Sequence, residues 1–481
     1  MTKVELVFVP APGAGHLGSS TEFAKVLVDR DERVSVTFIV MKMPFDSKTS
    51  EFIKSLATTN ISNRLRFIEL PAIELDPSDT SVRPIPTLIE TQKPHVREVV
   101  SNLIKPESSP EEPRLGGFVL GMFCTPFIDV ANEFGVPSYL FFPSDAACLG
   151  LFFHIQYIHD HQQVDPTKFE NSDVELSVPT VSLPLPAKVL PSTLMNEQWL
   201  PVLLQLIRRY RETKGIMINT FMELESYAVN ALTTESMNSN APPVYPVGPI
   251  LNLKGYQGTS DQDCIMRWLD DQAPSSVVFL CFGSKGSFDT EQVKEIALAV
   301  ERSGQRFLWS LRKPASKGAM ETPTEYTNPE EALPEGFLDR TAGIGKVIGW
   351  APQVVVLAHK AIGGFVSHCG WNSTLESLWF GVPIATLPLY AEQQLNAFLL
   401  VHELGLGVEI KVDYRNDQFS KNMIVSADVI ERGIRCVMDH DGEVRRKVKD
   451  ISEKSRQALT EGGSSHRSLG RFIEDVICNI E

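Results

Sequence analysis

A succession of short apolar runs rich in β-branched residues, alternating with stretches of helical periodicity, constrains this chain more than any other feature. The first half carries them at Val4–Val9, Val34–Met41, Arg66–Leu70, Gly117–Leu120, Ser138–Phe142 and Gly215–Asn219. The second half carries them at Ser276–Cys281, Phe307–Leu311, Lys346–Gly349, Gly364–Ser367, Ile384–Leu387 and Gly407–Ile410. Such alternation is the signature of βαβ units, whose strands run parallel and are buried on both faces. Ala241–Gly258, rich in Pro, Gly and Tyr, reads as a linker between the two sets. The expected class is therefore α/β, with two doubly wound domains over residues 1–245 and 246–465. Glu461–His466 (EGGSSH) breaks the last helical pattern before Arg467–Ile480, and this terminal helix, residues 466–481, is expected to pack back on the first domain. Pro106–Arg114 and Lys313–Glu331 read as solvated loops. GFVLG at 117–121 and GFVSH at 364–368 echo one another at the ends of two runs, which fits domains of similar plan.

Charge bears on what such a fold can bind. The 481 residues are 43% hydrophobic and 22% charged, ordinary globular values that exclude disordered and collagenous chains. Lys and Arg number 45 against 60 Asp and Glu, a formal charge of −15. That surface repels nucleic acid and anionic lipid, so any attraction for an anionic ligand must be local. The seven cysteines are scattered and none has C-x-x-C spacing, so neither a zinc site nor a redox pair is expected. The opening MTKVELVFVP lacks the apolar core and cleavage site of a secretory signal, and no uncharged run reaches the length of a membrane span. A cytosolic protein with no membrane insertion is the expectation.

In open α/β sheets ligands bind beyond the carboxyl ends of the strands, and most of the candidate polar groups lie there. Gly13-Ala14-Gly15-His16-Leu17-Gly18 follows the first run and satisfies G-x-G-x-x-G. A dinucleotide site of that kind wants an acidic residue ending the second strand, but that run continues into Met41 and Lys42. A dehydrogenase is disfavoured. The unusual member is His16, whose ordinary pKa suits a general base, against the alternative of a capping or solvated histidine. Ser367-His368-Cys369-Gly370-Trp371-Asn372-Ser373 leaves a strand and enters a helix, whose start is an anion site independent of net charge. Ser373 and Glu376 are also spaced as a capping box, Trp350 as a core aromatic, and Glu392 and Gln393 as solvated polar residues. No G-x-S-x-G or Walker A motif occurs. The D-x-D triplets at Asp29–Asp31, Asp261–Asp263 and Asp439–Asp441 do not follow apolar strands, so no metal is expected.

Trp350–Gln393, beginning WAPQVVVLAHKAIGGFVSHCGWNSTLES and ending LPLYAEQ, resembles the signature of the plant secondary-product UDP-glycosyltransferases, family 1 enzymes of the GT-B fold. PAPGAGHL near the start, VGPI in the linker and WLDDQAPSSVVFLCFGS extend the similarity over essentially the whole chain. The resemblance implies two Rossmann-like domains facing across a cleft, with the acceptor held by the first and the UDP-sugar by the second. It implies His16 as catalytic base, Trp350 stacked on uracil, Gln353 near ribose and base, and Glu376 accepting from both ribose hydroxyls. His368, Asn372, Ser373 and Ser284 would meet the diphosphate, beside the backbone at Gly15. Trp371, Glu392 and Gln393 would line the sugar, and Gln at the last position resembles glucose users. Phe123, Phe142, Met195 and Tyr390 are candidates for the acceptor pocket from their position and apolar character.

The chain departs from the family at one position. The usual LD(M/F)FC run places an Asp beside the catalytic His, whereas here Leu120-Gly121-Met122-Phe123-Cys124 has Gly121. Asp145, in FPSDAA where relatives carry an uncharged run, is a candidate substitute for that carboxylate, its alternative being a helix N-cap. The resulting expectation is an inverting, UDP-glucose-dependent O-glucosyltransferase acting as a monomer on a small hydrophobic phenolic, flavonoid or terpenoid, with no cofactor. The alternative is a nucleotide-sugar-binding homologue with weakened catalysis.

Overall fold

A computed structural model of the chain describes residues 2–42, 53, 62–73, 84–104, 112–170, 172–234, 241–253, 260–315, 323–416 and 423–480. The loop expectations at 106–114 and 313–331 and the linker at 241–258 fall partly outside these residues. The chain divides into two compact units.

The first unit comprises Met1–Asp165, Asn196–Leu251 and Gln457–Glu481. Its sheet is built from β1 (Val4–Val9), β2 (Val34–Val40), β3 (Leu65–Glu69), β4 (Arg114–Gly121), β5 (Ser138–Phe142), β6 (Ile216–Ile218) and β7 (Val244–Pro246). All pairs are parallel, in the order β3-β2-β1-β4-β5-β6-β7. Every residue of β1 and β5 is buried, so their near-continuous apolar sequence reflects helices on both faces. Side chains alternate across β1: Val4, Leu6 and Phe8 enter one core with Phe23, Phe38 and Phe141, while Val7 and Val9 enter the other with Phe118, Leu120 and Phe127. Glu5 interrupts the run, and its buried carboxylate is satisfied by Thr37 Oγ1 (2.5 Å), Ser35 Oγ and Arg66 Nη2 (3.1 Å).

The Ser464–Cys478 helix contributes Leu469, Phe472, Ile473 and Val476 to the first of these cores, and its Asp475 accepts from Tyr245 Oη at 2.5 Å. It begins at Ser464, inside the segment read as a break, so Thr460–Gly463 interrupts the helical run.

The second unit comprises Pro166–Met195 and Asn252–Arg456. Its strands are β8 (Val277–Cys281), β9 (Arg306–Ser310), β10 (Gly345–Ile348), β11 (Ile362–Ser367), β12 (Ile384–Thr386) and β13 (Gly407–Glu409), in the order β10-β9-β8-β11-β12-β13, all parallel. Relabelled from its own first strand, this is the same order as in the first unit. The sequence echo then has a structural meaning, because GFVLG ends β4 and GFVSH ends β11, the equivalent strands.

Two expectations are corrected here. Val244–Pro246, read as linker, is the edge strand β7; three residues that follow Pro243 and end on Pro246 are too short to show a strand pattern. Pro166–Met195, placed by the sequence division in the first domain, clusters with the second unit, and the unit boundary falls at Leu251–Asn252.

In each sheet the order reverses once, between β1 and β4 and between β8 and β11. Connections leave those neighbouring strands on opposite faces, which opens a crevice at their carboxyl ends. The loops at these two points carry the chemistry.

Candidate active site

In the first unit β1 exits through Pro10–Pro12 to Gly13, which caps the Ala14–Arg30 helix at φ 112°, a backbone region that side-chain-bearing residues rarely adopt. His16 lies in the first turn and is half-buried. Its ring meets that of Phe123 edge to face, centroids 5.9 Å apart and planes at 90°. Phe123 follows the end of β4, so the two strands flanking the reversal deliver the pair. Gly121, the last residue of β4, is packed against the exit of β1. A Cβ there would lie 2.6 Å from the Ala11 nitrogen, which accounts for glycine at this position.

Asp145 is corrected. It is the N-cap of the Ala146–Gln162 helix, fully buried, with Oδ1 accepting from Cys148 N at 2.6 Å and Oδ2 from Ser144 Oγ at 3.0 Å. The same helix start is held by Glu225, whose carboxylate accepts from Ala146 N (3.0 Å) and Ala147 N (3.1 Å). Burial raises both carboxyls, and Glu225 rises further in the field of Asp145. Asp145 thus acts as a capping group.

Of the acceptor candidates, Phe123 faces His16. Phe142 is corrected to a core residue, fully buried against Phe152 and Tyr210. Met195 ends the short Ser192–Met195 helix, buried in the second unit, and Tyr390 is half-buried against that unit's core.

In the second unit the loops after β8 and β11 close on one imidazole. A Cβ at Gly283 or at Gly370 would lie 2.6 Å from His368 Nε2, so glycine is required on both sides of that ring. Gly283 also has φ 75°. Burial pushes His368 down to about 4, leaving it neutral at pH 7, and its Nδ1 is buried without a hydrogen-bond partner among the described residues. Ser284, in the β8 loop, is exposed. Gly370 is the N-cap of the Trp371–Phe380 helix and brings no side-chain cap to its first turn. Asn372 is exposed and Ser373 buried in that first turn, with Trp371 buried beside them.

The capping-box alternative for Ser373 and Glu376 therefore fails, since the cap is Gly370. Their side chains meet through Gln353 instead: its Nε2 donates to Ser373 Oγ at 2.8 Å and to Glu376 Oε2 at 2.7 Å. Gln353 opens the Gln353–Leu357 helix just past Trp350, which leaves β10 half-buried. Burial pushes Glu376 up to about 7. After β12, Gln393 is buried and its Oε1 accepts from Leu389 N (2.9 Å) and Tyr390 N (3.1 Å). Glu392 is the N-cap of the short Gln393–Phe398 helix, without a side-chain cap bond, and is half-buried.

Sequence reasoning missed two residues of this edge. Asn396 donates to the Cys369 carbonyl at 2.9 Å, holding a loop in which Cys369 adopts φ 60°, a strained value for a residue with a side chain. Glu325 accepts from Trp350 N at 2.8 Å. Neither sits in a motif. Among the described residues no group of three or more His, Cys, Asp or Glu is arranged to hold a metal ion. Of the D-x-D triplets, Asp31 is paired with Arg33 and Asp439 accepts from the Asp441 backbone, while the Asp261 side chain lies outside the described residues.

Residues 257–423 match the model of the family described as UDP-glucoronosyl and UDP-glucosyl transferase. A putative UDP-glucose flavonoid 3-O-glucosyltransferase from Fragaria ananassa is 53% identical, over 98% of this chain and 99% of that one. UDP-glycosyltransferase 71E1 from Stevia rebaudiana is 54% identical over 99% of each chain. The chain belongs to the UDP-glycosyltransferase family. Among solved structures, a UGT transferase from Siraitia grosvenorii in complex with UDP superposes with a TM-score of 0.88 at 49% identity, covering 99% of this chain and 100% of that one. UGT71G1 from Medicago truncatula, complexed with UDP-glucose, gives 0.86 at 42% identity over 98% of each chain. The two doubly wound units are those of the GT-B fold. As a UDP-glycosyltransferase the protein is an enzyme, and its nucleotide sugar is a donor substrate, not a resident cofactor.

Proposed function

We propose that this UDP-glycosyltransferase transfers glucose from UDP-glucose to a hydroxyl of a small, mostly apolar acceptor, with inversion at the anomeric carbon. The observation that carries the donor side is the Gln353–Ser373–Glu376 cluster beside a helix start with no side-chain cap and a neutral His368 whose buried Nδ1 has no partner among the described residues. Backbone N–H groups at Asn372 and Ser373, with His368 and Ser284, meet the diphosphate and the charge that grows on it as the glycosidic bond breaks. Neutral donors at a helix start hold an anion inside a protein of charge −15 without a surface field. Glu376 accepts from the ribose hydroxyls, Trp350 stacks on uracil, and Trp371, Glu392 and the amide of Gln393 line glucose. On the first unit His16 takes the proton from the acceptor hydroxyl as that oxygen attacks, with Gly15 beside it and Phe123 against its ring. The Fragaria ananassa relative, named as a putative flavonoid 3-O-glucosyltransferase, supports a phenolic acceptor. The reading includes a cytosolic monomer; none of the seven cysteines is in a disulfide, and no helix among the described residues is long and apolar enough to cross a membrane. An acceptor panel with UDP-glucose, scored by mass spectrometry, tests it. Glucosylated flavonoids or simple phenols support the reading, and UDP binding with no product on any acceptor defeats it.

Gly121 favours one second reading, a donor-binding homologue of weakened catalysis, because position 121 supplies no carboxylate. The packing at Ala11 bears on how to separate the two. Gly121→Asp should lower stability by ~1–3 kcal/mol through overpacking against backbone, visible as a lower Tm, with no gain in rate. A faster enzyme with unchanged Tm would instead favour the weakened-catalysis reading.

A further inference from the structure

A short hairpin pairs Arg312 with Glu325 and Lys313 with Thr324, just beyond β9. Arg312 ties it down, donating from Nε to the Thr324 carbonyl at 3.2 Å and from Nη2 to that of Pro323. The return strand thereby brings Glu325 to the exit of β10, where its Oε1 accepts from Trp350 N at 2.8 Å. The other end of the same peptide group is also held, since Ser310 Oγ donates to the Gly349 carbonyl at 2.6 Å. The peptide unit joining Gly349 to Trp350 is therefore fixed at both its N–H and its C=O. Gly349 is what admits the carboxylate: a Cβ there would lie 2.5 Å from Glu325 Cδ. Past the end of a parallel strand this N–H has no ladder partner, and without Glu325 it would turn to water.

We propose that Glu325 is a positioning residue for the donor, fixing the Gly349–Trp350 peptide and with it the plane of the ring on which the nucleobase stacks. This rests on the assignment of Trp350 to the base in the reading above. A charged acceptor on a backbone N–H is a strong directional restraint, and an aromatic platform tilted by a freed peptide loses contact over its whole face. Glu325 is exposed and its charge opposes an anionic donor, so a purely electrostatic role predicts the reverse sign on removal.

The test compares Glu325→Ala, Glu325→Gln, Gly349→Ala and Trp350→Ala by steady-state kinetics with UDP-glucose and by calorimetric binding of UDP. Glu325→Ala should raise KM for UDP-glucose and Kd for UDP by roughly 3–10-fold with kcat and Tm little changed. Gly349→Ala, whose methyl displaces the flexible carboxylate, should give the same pattern although Glu325 is still present. Glu325→Gln keeps an oxygen at the same reach and should recover most of the affinity. Unchanged or tighter donor binding in Glu325→Ala, with Trp350→Ala impaired, overturns the proposal and leaves the base-stacking assignment standing. Unchanged donor binding in Trp350→Ala overturns both.

Discussion

His16→Ala should lower kcat by about 10²–10⁴ on a phenolic acceptor while leaving UDP-glucose affinity unchanged, the range general base catalysis ordinarily supplies. The separation follows from which elements carry which groups. His16 sits in the first turn after β1, whereas the donor side chains sit beyond β8, β10, β11 and β12 of the other sheet. Removing the imidazole deletes the proton acceptor without touching a diphosphate, ribose or base contact. The loss should depend on the acceptor. A hydroxyl of low pKa needs less help in losing its proton, so acidic phenols should lose less rate than aliphatic alcohols. Turnover equal to the parent on both acceptor types would reduce His16 to a residue of the helix start, and a parallel loss of UDP-glucose binding would indicate a structural role.

Glu376→Ala should raise KM for UDP-glucose by roughly 10–100-fold, as expected on losing one or two hydrogen bonds to a carboxylate. A pH dependence accompanies it. Burial holds the Glu376 carboxyl at about 7, above its ordinary value, so in the free protein it keeps its proton over the range from about 4.5 to 7. Its contribution to stability is present below the lower limit and is lost as pH rises through that window. Ribose hydroxyls donate to the charged form and favour it, so donor binding releases a proton. UDP-glucose affinity should accordingly strengthen as pH rises from 5 to about 7 and then level off. UDP-glucose is the suitable probe because its diphosphate does not titrate there, and His368, held at about 4, lies outside the window. Calorimetry in buffers of different ionisation enthalpy should detect the proton, and Glu376→Gln should abolish both its release and the slope. A flat profile in the parent would show that Glu376 does not meet the ribose.

What could be read from the chain alone was set by locality. Strands such as Val4–Val9 and Ser138–Phe142 declare themselves because parallel strands buried on both faces are almost wholly apolar. Apart from Gly15 and Ser284, the proposed donor residues lie in one run, Trp350–Gln393, which places them after three successive strands. What failed depends on contacts across the sequence. Asp145 looked available until the fold brought Glu225 to the same helix start and buried both carboxylates. Ser373 and Glu376 are spaced as a capping box, yet the helix is capped at Gly370, and their partner is Gln353 from the short helix after β10. Phe142 is apolar and stands at a strand end, which does not distinguish a pocket wall from a core; its neighbours Phe152 and Tyr210 do. Glu325 carried no local signal at all, since only the hairpin's return brings it to Trp350.

The central claim is a single displacement at the anomeric carbon by an acceptor oxygen that has given its proton to His16. Proton NMR of the purified glucoside formed from α-linked UDP-glucose tests it most directly, through the coupling of the anomeric proton. A β-glucoside is the result this account predicts, and an α-glucoside would contradict it.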